Sequence, residues 1–219
     1  MLPLSLLLVE LDAALDTVLG DLLSERGPGD SQQLRRLRQI ALRLFERLQN
    51  QLRLHLLDEL LVGAARGAFQ MLTRSGDQTV TLAQRSDLGK CSGAWAFLSI
   101  HANAAKNRTA SGFEVYYLPE YERYGRGVAY ASVRSQADAN YQLARLIQRE
   151  FRRDWPLQDR GIKQARFHVL KHTPIPAVLV ETGFLTNARD ESLLNNPAMR
   201  EEIARRLANA LLAFRRQGG

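Results

Sequence analysis

Apolar positions change rhythm along the chain, and the change falls near residue 65. Upstream, Leu34, Leu37, Ile40, Ala41, Leu44, Phe45 and Leu48 recur at steps of three and four, the spacing of one helical face. Asp30 or Ser31 can cap that helix after the Gly27-Pro28-Gly29 breaker. From Ser31 to Ala65 there is no proline, and Gly63 is the one glycine, so nothing interrupts a helical reading. The stretch from Leu52 to Leu61 is apolar on more than one face and is expected to be buried.

Downstream the pattern alternates. Ala68-Phe69-Gln70-Met71-Leu72 reads as a strand that runs into the polar loop Thr73 to Asp77. Thr81 to Leu88 predicts a short helix. Trp95 to Ile100 is a continuous apolar run of strand length, as in a parallel sheet covered on both faces. Gly112 to Leu118 alternates and is aromatic, which predicts another strand. Ser135 to Arg152 predicts a helix with Leu143, Ile147 and Phe151 on one face. Phe167 to Leu170 reads as a strand, and Pro176 to Glu181 as a strongly apolar strand ending in a charge. Asn196 to Arg216 predicts a terminal amphipathic helix with Pro197 in its first turn. Strands alternating with helices give an α/β class: a central, mostly parallel sheet flanked by helices, with a helix-rich N-terminal segment. The expected division is residues 1–65 for that segment and 66–219 for the α/β domain.

A chain of 219 residues supports one sizeable core rather than two. No apolar run approaches the about 20 residues that span a bilayer. The net charge of +7 raises the question of nucleic acid. Its cations are nearly all Arg, spread along helix-like stretches with acids between them and no interleaved aromatics. That is the pattern of a solvated face, so nucleic acid is not an expected partner. The single cysteine, Cys91, excludes an internal disulfide and reads as a buried or bystander thiol rather than a nucleophile. The apolar run Pro3 to Val9 has no basic residue before it, and Glu10 and Asp12 stand where small residues would mark a cleavage site, so it is not a clear signal peptide.

Two apolar strands end in residues suited to metal-assisted hydrolysis. One runs Phe97-Leu98-Ser99-Ile100-His101-Ala102-Asn103, the other Ala177-Val178-Leu179-Val180-Glu181-Thr182-Gly183-Phe184. Ligands of such sheets sit at the carboxyl ends of strands. An imidazole there is a natural zinc ligand, and a neighbouring carboxylate can move a water proton to a leaving amine. On pattern alone the bland reading stays open as well: a satisfied structural histidine and a hydrogen-bonded surface glutamate.

The first of these stretches, followed by Gly112-Phe113-Glu114-Val115-Tyr116-Tyr117, resembles the central signature of the zinc-dependent N-acetylmuramoyl-L-alanine amidases that cut peptidoglycan. Leu72-Thr73-Arg74 with Asp77, Leu82 and Arg85 is similar to the family's preceding block. Asp159-Arg160-Gly161-Ile162-Lys163 with Phe167, Val169 and Leu170 is similar to the next, and Pro176 to Asn187 to the segment holding the catalytic glutamate. The blocks keep the family's order from Gly67 to the C-terminus. The resemblance implies that His101 is a zinc ligand and Glu181 the general base and acid. It also implies that the substrate is the amide between N-acetylmuramic acid and the L-alanine of the stem peptide. Asn103 would fix the loop beside the ligand, and Arg160 or Lys163 would hold the anionic substrate. The implied location is the cell envelope, periplasmic or extracellular.

The family's other two zinc ligands are a His in a Gly-His-Gly-Gly motif and a Glu usually followed by Lys. No Gly-His-Gly-Gly occurs here; His55 is the first histidine and has no glycine beside it. Glu46, followed by Arg47, lies close to the right distance for the glutamate ligand, and Glu25-Arg26 fits only with a long insertion. Three explanations follow: a module that binds cell wall or a regulatory protein partner without cutting, a ligand from another segment such as that around His55, or a non-native first 65 residues. His168 and His172 read as structural.

Overall fold

The structure is a computed structural model that describes residues 5–11, 68–72, 80–91, 93–119 and 130–218. Its centre is a six-stranded sheet. In chain order the strands are β1 (Ser5–Leu11), β2 (Ala68–Leu72), β3 (Ala94–Asn103), β4 (Phe113–Tyr117), β5 (Asp159–Gln164) and β6 (Ala177–Phe184). The helices are α1 (Leu82–Cys91), α2 (Tyr130–Phe151), α3 (His168–His172), α4 (Ala188–Asn195) and α5 (Pro197–Arg216). Across the sheet the order is β2-β1-β3-β6-β4-β5. Every neighbouring pair is parallel except β4 with β6, so β4 and β5 run against the other four strands.

Burial explains the central position of β3 and β6. All eight residues of β6 are buried, and β3 is buried from Ala96 to Ala102. Alternate side chains divide between two helical layers, as a pleated strand requires. Leu98, Ile100, Val115, Val178 and Val180 pack with Leu143 and Ile147 of α2 and Leu207, Leu211 and Phe214 of α5. Phe97 and Leu179 pack on the opposite face with Val169 and Leu170 of α3. On that second face the strand alternation also places Ser99, His101, Glu114, Tyr116 and Glu181.

The helix ends are written in short polar signals. Thr81 and Gln84 cap α1 reciprocally: Gln84 N donates to Thr81 Oγ1 at 3.2 Å and Thr81 N to Gln84 Oε1 at 2.9 Å. Asn187 caps α4 by accepting from the amides of Arg189 and Asp190, and Asn196 with Pro197 starts α5.

Three readings change. Phe167 to Leu170 is not a strand: His168–His172 is a helix, so His168 stands at a helical position. Its consecutive apolar pair, Val169 and Leu170, is buried together, which a helix turn allows and an alternating strand does not. The edge place beside β4 is taken instead by the polar Asp159–Gln164, a charged strand of the kind that guards a sheet edge. The apolar run near the N-terminus, finally, is β1, paired between β2 and β3. The helical reading over Ser31 to Ala65, with Glu25, Glu46 and His55, lies outside the described residues.

Candidate active site

Strand register makes the site. His101 of β3 is the parallel partner of Glu181 of β6, and Glu181 is in turn the antiparallel partner of Glu114 of β4. Residues directly opposite on neighbouring strands share a face, so the three side chains form a row across the sheet. His101 is 7% exposed, Glu181 5% and Glu114 2%, so the row is closed off from bulk water.

His101 is fixed by its own strand. Its Nε2 lies 2.8 Å from Ser99 Oγ, and its carbonyl accepts from Thr182 Oγ1 at 2.9 Å. Burial, aided by the Arg85 guanidinium, lowers its pKa to about 3, so the ring is neutral. A neutral imidazole is the form that binds metal. The Glu181 carboxyl is pushed up to about 8, by burial first and by Glu114 second. Two carboxyls side by side therefore take different states. Burial acts to raise Glu114, but hydrogen bonds from Lys163, Tyr116 and Arg160 outweigh it and hold this carboxyl below its usual value. Burial and the bond to Glu114 push the Tyr116 hydroxyl upward.

Arg160 and Lys163 of β5 both reach the row through Glu114, Lys163 Nζ at 2.8 Å and Arg160 through its Nε. Asn103 sits where β3 ends; its Oδ1 accepts from Ala104 N at 2.7 Å and its carbonyl from Leu185 N at 2.8 Å. That holds the start of the following loop against the end of β6. The far end of the same loop is held by Asp190, which is fully buried and accepts from Ser111 Oγ, Gly112 N and Phe184 N. His168 and His172 stack on α3 with ring centroids 4.3 Å apart, and both are exposed.

Among the described residues, no three His, Cys, Asp or Glu side chains gather into a metal-holding group. The row does carry a sign of a missing polar partner. His101 Nδ1 and Glu181 Oε2 are buried without a hydrogen-bond partner, and orphaned atoms of that kind call for a water or an ion. One neutral imidazole nitrogen fits one position of a zinc ion. Glu46 and His55 fall outside the described residues.

Sequence reasoning singled out His101, Glu181, Arg160, Lys163 and Asn103 but gave no role to Glu114, Tyr116, Ser99 or Asp190. Ser99 alone had a local signal, two residues from His101 on the same strand face. The role of Glu114 depends on β4 lying antiparallel beside β6, which no local pattern reveals.

The family model described as N-acetylmuramoyl-L-alanine amidase matches residues 39–213. The chain is 34% identical over 152 residues to N-acetylmuramoyl-L-alanine amidase LytC of Bacillus subtilis, covering 69% of this chain and 28% of that protein. It is 38% identical over 141 residues to N-acetylmuramoyl-L-alanine amidase CwlM of Bacillus licheniformis, covering 64% of this chain and 49% of that protein. The chain thus spans between about a quarter and a half of these relatives. Among solved structures, an N-acetylmuramoyl-L-alanine amidase from Clostridium difficile 630 superposes with a TM-score of 0.68 at 22% identity, over 99% of both chains. The CwlD amidase of Clostridioides difficile, solved with the GerS lipoprotein, gives 0.62 at 18% identity, over 97% of this chain and 99% of that one. These likenesses establish the fold.

Proposed function

The chain belongs to the N-acetylmuramoyl-L-alanine amidase family, and from that premise we propose that it is a zinc-dependent peptidoglycan hydrolase of the cell envelope. Its substrate is the amide between N-acetylmuramic acid and the L-alanine of the stem peptide. The observation that carries this reading is the register pair His101–Glu181, an orphaned imidazole nitrogen beside an orphaned carboxylate oxygen.

Zinc, when bound, supplies polarisation of the scissile carbonyl and a water acidic enough to react near neutral pH. His101 offers Nδ1 as one ligand, with Ser99 holding the ring from its other side. Glu181 takes the proton of the attacking water at Oε2 and delivers it to the leaving amine nitrogen. Its pKa of about 8 leaves only a fraction ionised near neutral pH, but that fraction is a stronger base than an ordinary carboxylate and keeps the proton until the amine accepts it. Asn103 fixes the loop beside the ligand, and Arg160 and Lys163 hold the anionic substrate. Glu46 serves as a further ligand.

A module that binds without cutting is not favoured, because the relatives are themselves named as amidases. A regulatory protein partner remains part of the proposal, and the complex of CwlD with the GerS lipoprotein supports a protein partner of some kind. The test is metal analysis together with digestion of purified cell wall. Stoichiometric zinc and released stem peptides are expected, with Glu181→Gln lowering turnover by about 100-fold or more. Absence of both zinc and released peptide refutes the reading.

A further inference from the structure

Glu114 gathers more positive charge than one buried anion requires. Its carboxylate accepts from Tyr116 Oη, from Arg160 Nε and from Lys163 Nζ. Both cations are held by more than this acid. Arg160 also reaches the Ser111 carbonyl at 3.4 Å and lies over the Phe184 ring at 5.0 Å. Its aliphatic stem runs so close to Gly112 that a Cβ there would come within 2.9 Å of it. Lys163 sits over the Tyr116 ring at 5.8 Å. Even so, about a third of each cation faces solvent: 33% of the Arg160 side chain and 37% of that of Lys163.

Two fixed cations on one anion leave a positive excess at the end of the row, next to Glu181. Cations immobilised in advance lose little side-chain freedom when an anion arrives, and the planar guanidinium fork matches a carboxylate. We infer that Glu114 is the positioning residue of a carboxylate subsite, fixing Arg160 and Lys163 so that they hold a carboxylate of the stem peptide while its N-terminal amide lies at Glu181. This inference rests on the amidase reading. Had Glu114 only neutralised its own surroundings, its loss would weaken acidic and neutral ligands alike.

The experiment compares a stem tripeptide with free carboxylates against its carboxamide form. Calorimetry on the intact protein reads binding without turnover, because the tripeptide is the product; steady-state kinetics use the two matching soluble muropeptides. The wild-type protein is expected to bind the carboxylate form about tenfold tighter or more, the size of one charge-assisted contact. In Glu114→Gln this preference falls to about two- to threefold. KM for the acidic substrate rises about tenfold relative to KM for the carboxamide, while any change in kcat, which Glu114 can cause through Glu181, is shared by both substrates. Arg160→Met and Lys163→Met lose the preference as well. Equal loss on both ligands in Glu114→Gln overturns the inference, as does full preference retained in both cation variants. If Glu114→Gln does not fold by circular dichroism, the two cation variants decide. A wild-type protein that cuts neither muropeptide refutes the amidase reading, while peptide binding still reports on the subsite.

Discussion

Removing the Asp190 side chain should cost far more than changing its chemistry. Its Oδ2 accepts from Gly112 N at 3.0 Å and Phe184 N at 2.9 Å, and its Oδ1 accepts from Ser111 Oγ at 2.6 Å. In Asp190→Ala two buried backbone N–H groups lose their acceptor, each at about 1–3 kcal/mol. A small void adds to this, so the expected loss is about 3–5 kcal/mol, a large part of the 5–15 kcal/mol that is typical of whole domains. In Asp190→Asn the amide oxygen can keep both N–H groups while its NH2 turns to Ser111, whose hydroxyl can accept. Only the charge-assisted part of the bonds goes, about 1–2 kcal/mol. Urea unfolding followed by circular dichroism measures both at constant m. An Ala variant within about 1 kcal/mol of wild type would refute the reasoning. So would an Asn variant as costly as Ala, since the loss would then lie in the charge and not in the two amides.

Further predictions follow from the row. Since His101 has a pKa of about 3, its ring resonances should not titrate between about pH 5 and 8; a midpoint near the ordinary 6.5 would show that the ring is not buried as described. The Glu181 carboxyl rises from 4.5 unfolded to about 8 folded, so the fold holds its proton more tightly than the unfolded chain does. Its contribution to stability is therefore full below about pH 4.5 and lost as pH rises through about 8, by up to about 5 kcal/mol. In chelator-treated protein, Glu181→Gln should accordingly gain stability over wild type with rising pH, and parallel unfolding curves at pH 5 and pH 8 would contradict this. Gly112 has φ +118, and a Cβ there would meet the Gln158 carbonyl at 2.4 Å, so Gly112→Ala should cost more than about 2 kcal/mol in thermal unfolding; a neutral outcome would refute it.

Much of the fold could be read in the chain because its signals are local. The runs at Trp95 and Ala177 become β3 and β6, buried along most of their length, and the Asn196-Pro197 pair starts α5 where expected. Helix α4 is not among the expected elements, although Asn187 followed by Asp190 and Glu191, a cap with acids in the first turn, is a local signal for it. The polar strand Asp159–Gln164 has no such signal, because an edge strand can be charged and its hydrogen bonds go to a partner far along the chain. The site divides in the same way. His101 and Glu181 announce themselves as polar ends of apolar runs. Glu114 reads locally as the solvent side of an alternating strand, and only the neighbour supplied by β6 turns that side into the interior of a site.

The row from His101 through Glu181 to Glu114 is written in strand register, and this sets which changes the protein can absorb. Lengthening the segment 104–112 alters the rim and leaves the row aligned. One residue inserted or lost within β4 has another consequence: Glu114 would turn into the apolar layer under α2, and Val115 would turn out beside Glu181. Divergence among chains of this architecture should therefore collect insertions and deletions in the rim loops and spare the reading frame of the three strands.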